Sequence, residues 1–141
     1  MIFMMDMESK KDAKVTLLVI EDEPALADIY STKLKMAGYE VIHAYDGVEG
    51  LEKALHDRPA LILLDLILPL KNGFEVLQDL KQDPTTRDIP VIIMSNLGQD
   101  FEIKRGLSLG AVRFLIKTSI DPSEMVVQVR AALSDGQRGE K

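Results

Sequence analysis

The chain has 141 residues, a length that fits one domain, and 46% of them are hydrophobic. With no Trp and only 5% aromatics, the core has to be aliphatic. A net charge of -6 argues against a nucleic-acid surface, which needs clustered Lys and Arg, and the absence of Cys excludes disulfides, thiol catalysis and cysteine metal sites.

Residues 1–13 read as an N-terminal tail. Their apolar stretch, Met1 to Met5, is shorter than the ~7–15 residues of a secretory signal's hydrophobic region, and the Lys residues follow it rather than precede it. No apolar run approaches the ~20 residues of a membrane helix. A cytoplasmic location, with no membrane partner, is the resulting expectation. A strand is expected at Val15–Ile20, then a helix in which Leu26, Tyr30, Leu34 and Ala37 share one face. Gly38 stands where a helix C-terminus takes a left-handed residue. A weaker strand, Glu40–Ala44, leads to Asp46 and Glu49, spaced as a capping box. Val48, Leu51 and Leu55 give the stripe of that helix, and Pro59 follows its end.

The strand Ala60–Leu64 comes next. Asn72 with Glu75 caps a helix striped by Phe74, Leu77 and Leu80, which ends before Pro84. Pro90–Met94 reads as the fourth strand. Gln99–Leu109 is the weakest helix, with Phe101, Ile103 and Leu107 as a partial stripe and Gly110 past its end. After the strand Val112–Ile116, Asp121 and Glu124 form a third capping spacing around Pro122, which sits at the first helical position. Val126, Val129 and Leu133 line the last helix. The domain is expected over 14–134, with a flexible tail at 135–141.

Short Val/Ile/Leu runs alternating with amphipathic helices predict a doubly wound α/β fold with a five-stranded parallel sheet. In such sheets ligands bind at the carboxyl ends of strands. Those ends deliver Glu21-Asp22-Glu23, Asp65, Ser95-Asn96 and Lys117-Thr118. Taken singly, each is more often a cap, a turn or a surface charge. Together they make a chemical set. Clustered carboxylates suit a hard cation such as Mg²⁺. A carboxylate can attack phosphorus to form an acyl phosphate, and a Lys and a hydroxyl can stabilise the charged oxygens.

At these residues the chain resembles a response-regulator receiver domain of two-component signalling, the family of the bacterial chemotaxis response regulator. The matching stretches are VTLLVIEDEP, LILLDLILPLKNGFEVL, VIIMSN and GAVRFLIKTSIDP, in order, from about Lys14 to Ser134. The resemblance implies the flavodoxin-like strand order 2-1-3-4-5 with five helices. It implies Asp65 as phosphoacceptor, Mg²⁺ held by Glu21, Asp22, Asp65 and the backbone carbonyl of Ile67, Lys117 and Ser95 on the phosphoryl group, and Ser95 and Phe114 as switch residues. It implies a histidine kinase or phosphotransfer protein as donor and a downstream protein bound by helix 4, strand 5 and helix 5. The chain would be a monomer or a phosphorylation-dependent dimer, and no enzyme beyond assisting its own phosphorylation and dephosphorylation.

Four positions depart from the family pattern. Thr118 stands where the family usually has a Pro joined to Lys by a cis bond; before Thr a cis bond costs ~2.5–4 kcal/mol, so a trans bond or a reshaped loop is expected. Phe114 lacks the hydroxyl of the commoner Tyr. Ile67 and Leu97 place apolar groups beside Asp65, where they would hinder a hydrolytic water. Two other classes compete. An aspartate-based phosphatase of the haloacid dehalogenase type needs a second acid two residues after the nucleophile, and Ile67 stands there. A phosphorylation-independent scaffold would have no need of the retained acids, Lys117 and Ser95.

Overall fold

The structure, a computed structural model, describes residues 14–139. The tail expected over 1–13 lies outside the described residues. The strands are β1 (Thr16–Ile20), β2 (Glu40–Ala44), β3 (Leu61–Leu64), β4 (Val91–Ser95) and β5 (Arg113–Ile116). The helices are α1 (Pro24–Met36), α2 (Gly47–Asp57), α3 (Gly73–Gln82), α4 (Asp100–Ser108) and α5 (Pro122–Gly139). The five strands form one parallel sheet in the order β2-β1-β3-β4-β5, as expected.

Alternation along the strands divides the core in two. Leu18, Ile20, Ile62, Leu64 and Ile93 point to one face, where Ala54 of α2 and Val76, Leu77 and Leu80 of α3 cover them. Leu17, Val19, Leu61, Leu63, Ile92 and Met94 point to the other, against Tyr30 and Leu34 of α1 and Met125, Val129 and Ala132 of α5. Successive side chains of a strand face opposite ways, so a strand covered on both sides must be apolar throughout. Every residue of β3 and β4 is buried accordingly. Each fully buried aliphatic side chain stabilises the fold by about 1.5–3 kcal/mol.

The caps follow the spacing in the sequence. Asn72 and Glu75 make the full reciprocal box, and the Asp46 and Asp121 carboxylates accept the N–H of Glu49 and Glu124. Gly38 (φ 102°) and Gly110 (φ 114°) take the left-handed conformation past α1 and α4.

Three helix expectations are corrected. On α2 the predicted stripe leaves Val48 and Leu55 exposed, while Gly47, Gly50 and Ala54 are the buried residues. The helix lies so close to the sheet that a Cβ on Gly50 would sit 2.6 Å from Ile20 Cδ1, so only small residues fit its inner face. On α4, Phe101 and Leu107 are exposed and Gly106 alone is buried. The last helix continues to Gly139, past the boundary expected at 134. Its Asp135 is held by the Arg113 guanidinium of β5 at 2.7 Å, an anchor that the apolar pattern could not signal.

Candidate functional site

The sheet register assembles the acidic residues. Ile20 pairs with Leu64, so the next residues, Glu21 and Asp65, leave the sheet side by side, and Asp65 N–H donates to the Ile20 carbonyl at 3.1 Å. One carboxylate oxygen from each of Glu21, Asp22 and Asp65 lies within 4.8 Å of the others. Glu21 and Asp65 are buried, at 2% and 6% exposure, while Asp22 is exposed.

Lys117 enters from β5. The pairing Ser95–Ile116 and the Lys117 N–H to Ser95 carbonyl bond (3.0 Å) place it across β4 from the acids. Its ammonium reaches over, donating to Glu21 Oε1 at 2.5 Å and Asp65 Oδ2 at 2.8 Å. Among the described residues no peptide bond is cis, so the Lys117–Thr118 bond is trans, one of the two outcomes expected, and Lys117 reaches the site through it.

Burial first pushes the Glu21 carboxyl above its ordinary value; the Lys117 and Glu23 hydrogen bonds pull it back only in part, and the Asp65 charge adds to the rise. For Lys117, burial pushes the ammonium down, but its hydrogen bonds to Asp65 and Glu21 and their charges outweigh this and hold it above the usual lysine range. The ammonium is therefore firmly cationic.

Ser95 is fully buried, and its Oγ accepts the N–H of Leu97 at 3.1 Å. It joins the site through its carbonyl bond to Lys117, with its hydroxyl hydrogen left to donate. Ile67 N–H approaches Asp65 Oδ1 at 3.3 Å, and its side chain is 58% exposed. Leu97 packs partly buried on the α2/α3 face of the core. Phe114 is half-buried against bare Gly106, where an added Cβ would meet its ring at 3.1 Å.

Two contacts escaped the sequence reading. His43 Nε2 lies 2.9 Å from the Glu21 carbonyl, because β2 brings it level with Val19. Gly73 lies against Asp65 itself: a Cβ there would stand 2.3 Å from the Asp65 carbonyl oxygen. The order of β2 in the sheet would have pointed to the first. The second has only the Asn-Gly step before α3 as its signal.

Residues 17–130 match the family model described as response regulator receiver domain. The regulator RpaA of Synechocystis sp., a DNA-binding dual master transcriptional regulator, is 44% identical over 117 residues, 83% of this chain and 48% of RpaA. The chain spans about half the length of the curated relatives it matches. Among solved structures, the chemotaxis response regulator CheY4 of Vibrio cholerae superposes with a TM-score of 0.77 at 26% identity, covering 86% of this chain and 99% of CheY4. The Mn²⁺-bound form of response regulator Rcp1 superposes with a TM-score of 0.74 at 28% identity, covering 83% and 92% of the two chains. The chain belongs to the response regulator receiver domain family of two-component signalling.

Proposed function

We propose that this receiver domain takes a phosphoryl group onto Asp65 from a phosphohistidine on a histidine kinase or phosphotransfer protein. The observation that carries the reading is the Lys117 ammonium 2.8 Å from Asp65 Oδ2, inside a cluster of three carboxylates. An Asp65 oxygen attacks phosphorus while the donor's phosphorus–nitrogen bond breaks, and the freed imidazole picks up a proton. The product is an acyl phosphate. Lys117 keeps its proton and pairs with one phosphoryl oxygen, and the Ser95 hydroxyl donates to another.

The donor set suits a small hard cation, since it offers carboxylate oxygens only. Glu21, Asp22 and Asp65, with the Ile67 carbonyl, would hold Mg²⁺. The Mn²⁺-bound Rcp1 supports such a site. Bound there, the ion supplies neutralising charge for the transferring group.

The output is a surface rather than a product. Phosphorylation draws Ser95 toward the new oxygens and Phe114 inward, and the face of α4, β5 and α5 then binds a downstream protein. The domain acts only on itself and is no enzyme in the metabolic sense. It works in the cytoplasm with protein partners and not with nucleic acid or membrane, as a monomer or as a dimer formed on phosphorylation.

Incubation with acetyl phosphate and Mg²⁺, followed by intact-mass measurement, tests the reading. One phosphoryl adduct is expected, absent from Asp65→Asn and without added Mg²⁺. An adduct that survives Asp65→Asn would place the acceptor elsewhere.

A further inference from the structure

We infer that the outward face of α1 pairs, antiparallel, with the same face of a second copy of this chain, forming a dimer that needs no phosphorylation. This surface is not part of the face of α4, β5 and α5. The inference stands whether or not Asp65 is the phosphoacceptor.

Helix α1 is apolar on two sides. Ala27, Tyr30 and Leu34 are its buried apolar residues. On the other side Ala25, Ile29, Thr32 and Met36 are exposed, Ile29 by 45% and Met36 by 76%. A helix that meets only water on its outer face carries polar and charged residues there. Steps of four, three and four residues put these side chains in one line, the spacing of a seam between paired helices. Between Asp28, Ile29, Thr32 and Lys33 lies a shallow recess of about 290 Å³ whose walls are almost wholly carbon. It separates the ridge of Ala25, Ile29 and Lys33 from that of Asp28, Thr32 and Met36. A groove of this kind takes a ridge of another helix.

Size and charge select the occupant. With a two-fold axis midway between Ile29 and Thr32, an antiparallel copy sets Met36 over Ala25 of the second copy and Ile29 over its Thr32. Each layer then joins a larger side chain to a smaller one. A parallel copy would stack Ala25 on Ala25 and Met36 on Met36, loose at one end and crowded at the other. Asp28 and Lys35, both exposed, lie on the same flank of the seam. Antiparallel pairing keeps each flank on its own side, so Asp28 meets Lys35 of the second copy, and Lys35 meets its Asp28. The acidic Asp22 and Glu23 before the helix come beside the other copy's last turn, which carries Lys33 and Lys35. A parallel copy would bring the two acidic ends together. The face is thus complementary to itself. With 13 residues α1 is about 20 Å long, so the interface is small and the dimer weak, with a Kd on the order of 10–100 µM.

Sedimentation equilibrium of the full, unphosphorylated chain, from about ten-fold below that Kd to about ten-fold above it, tests this. The average mass is expected to rise from that of one chain toward that of two. Asp28→Lys and Lys35→Asp, each alone, should weaken association about ten-fold, since each turns two attractions into two repulsions. An equimolar mixture of the two single variants should associate as the wild type does, because every flank contact again joins opposite charges. Rescue by mixing requires both variants to be folded, which separates a lost contact from a lost fold.

A wild type that stays a single chain at every concentration overturns the inference and leaves the face to a different protein. A dimer untouched by the single variants, or formed only with beryllofluoride and Mg²⁺, overturns it too, since it uses another face or another trigger. So do single variants that stay weak when mixed. Rescue by Lys33→Asp in place of Lys35→Asp would make the pairing parallel and overturn the antiparallel geometry.

Discussion

Glu21 illustrates what the site costs the fold. Its carboxyl is buried and held above its ordinary value, so the folded chain binds that proton more tightly than the unfolded chain does. By linkage its contribution to stability is full below the unfolded value of 4.5 and is lost as pH rises through the folded value. Glu21→Gln should therefore unfold at higher denaturant than the wild type at pH 7, by about 0.5–2 kcal/mol, with the gap closing toward pH 4. A gap independent of pH would assign the gain to packing. Lys117 has the same sign: its contribution is present below 10.5 and is lost above that as the ammonium deprotonates. If Asp65 takes the phosphoryl group as proposed, the side chains at Ile67 and Leu97 are expected to act on its lifetime instead. Ile67→Asn with Leu97→Glu is expected to shorten the acyl-phosphate lifetime by about ten-fold, a barrier change of about 1.4 kcal/mol, by admitting water. Radiolabel decay after removal of the donor measures it, and an unchanged rate would count against shielding.

Among the elements, α4 is held most lightly. Its buried residue is a glycine, and it is tied to α3 by the Arg105 guanidinium lying 4.2 Å from the centre of the Phe74 ring. Its amides should exchange with solvent faster than those of the other helices, as few buried apolar contacts mean a low opening free energy. Gly106→Ala brings two opposed effects. The helix gains about 0.8–1.0 kcal/mol of propensity, but the new Cβ sits 2.6 Å from Ile93 Cδ1 and 3.1 Å from Phe114. Overpacking a core costs about 1–3 kcal/mol and wins, so chemical denaturation should show a net loss of about 1 kcal/mol, with the Phe114 ring displaced in NMR spectra. The sequence showed this element as the weak one through its partial stripe. It did not show why, because a glycine contributes nothing to a hydrophobic period. The same blindness misread α2, whose Gly50 and Ala54 face the sheet while Val48 and Leu55 face outward. Strand order and the acids at the strand ends were legible because a doubly covered strand must be apolar and a parallel sheet gathers its carboxyl ends. Leu70, left-handed at φ 70°, was not, since nothing about Leu signals that backbone.

At the scale of the whole molecule, the sheet separates two cores whose helices are tied to it differently. On one side α5 is fastened to the edge strand by polar bonds as well as packing. Arg113 Nε donates to Gln128 Oε1 at 3.0 Å, its other arm takes Asp135, and Gln128 in turn donates to Glu124. Arg113→Ala should leave the core and its unfolding midpoint nearly unchanged, with a loss of about 0.5–1 kcal/mol for these partly exposed bonds, while the amides after Ala132 lose protection from exchange. Protection that persists would give the helix end another anchor. The direction in which the chain departs at its last described turn is thus dictated by an arginine on β5, the strand that also carries Phe114. A fluorescent reporter joined behind that turn would be aimed rather than tethered. Its polarisation would follow the strand, and cutting the arginine strap would set it tumbling.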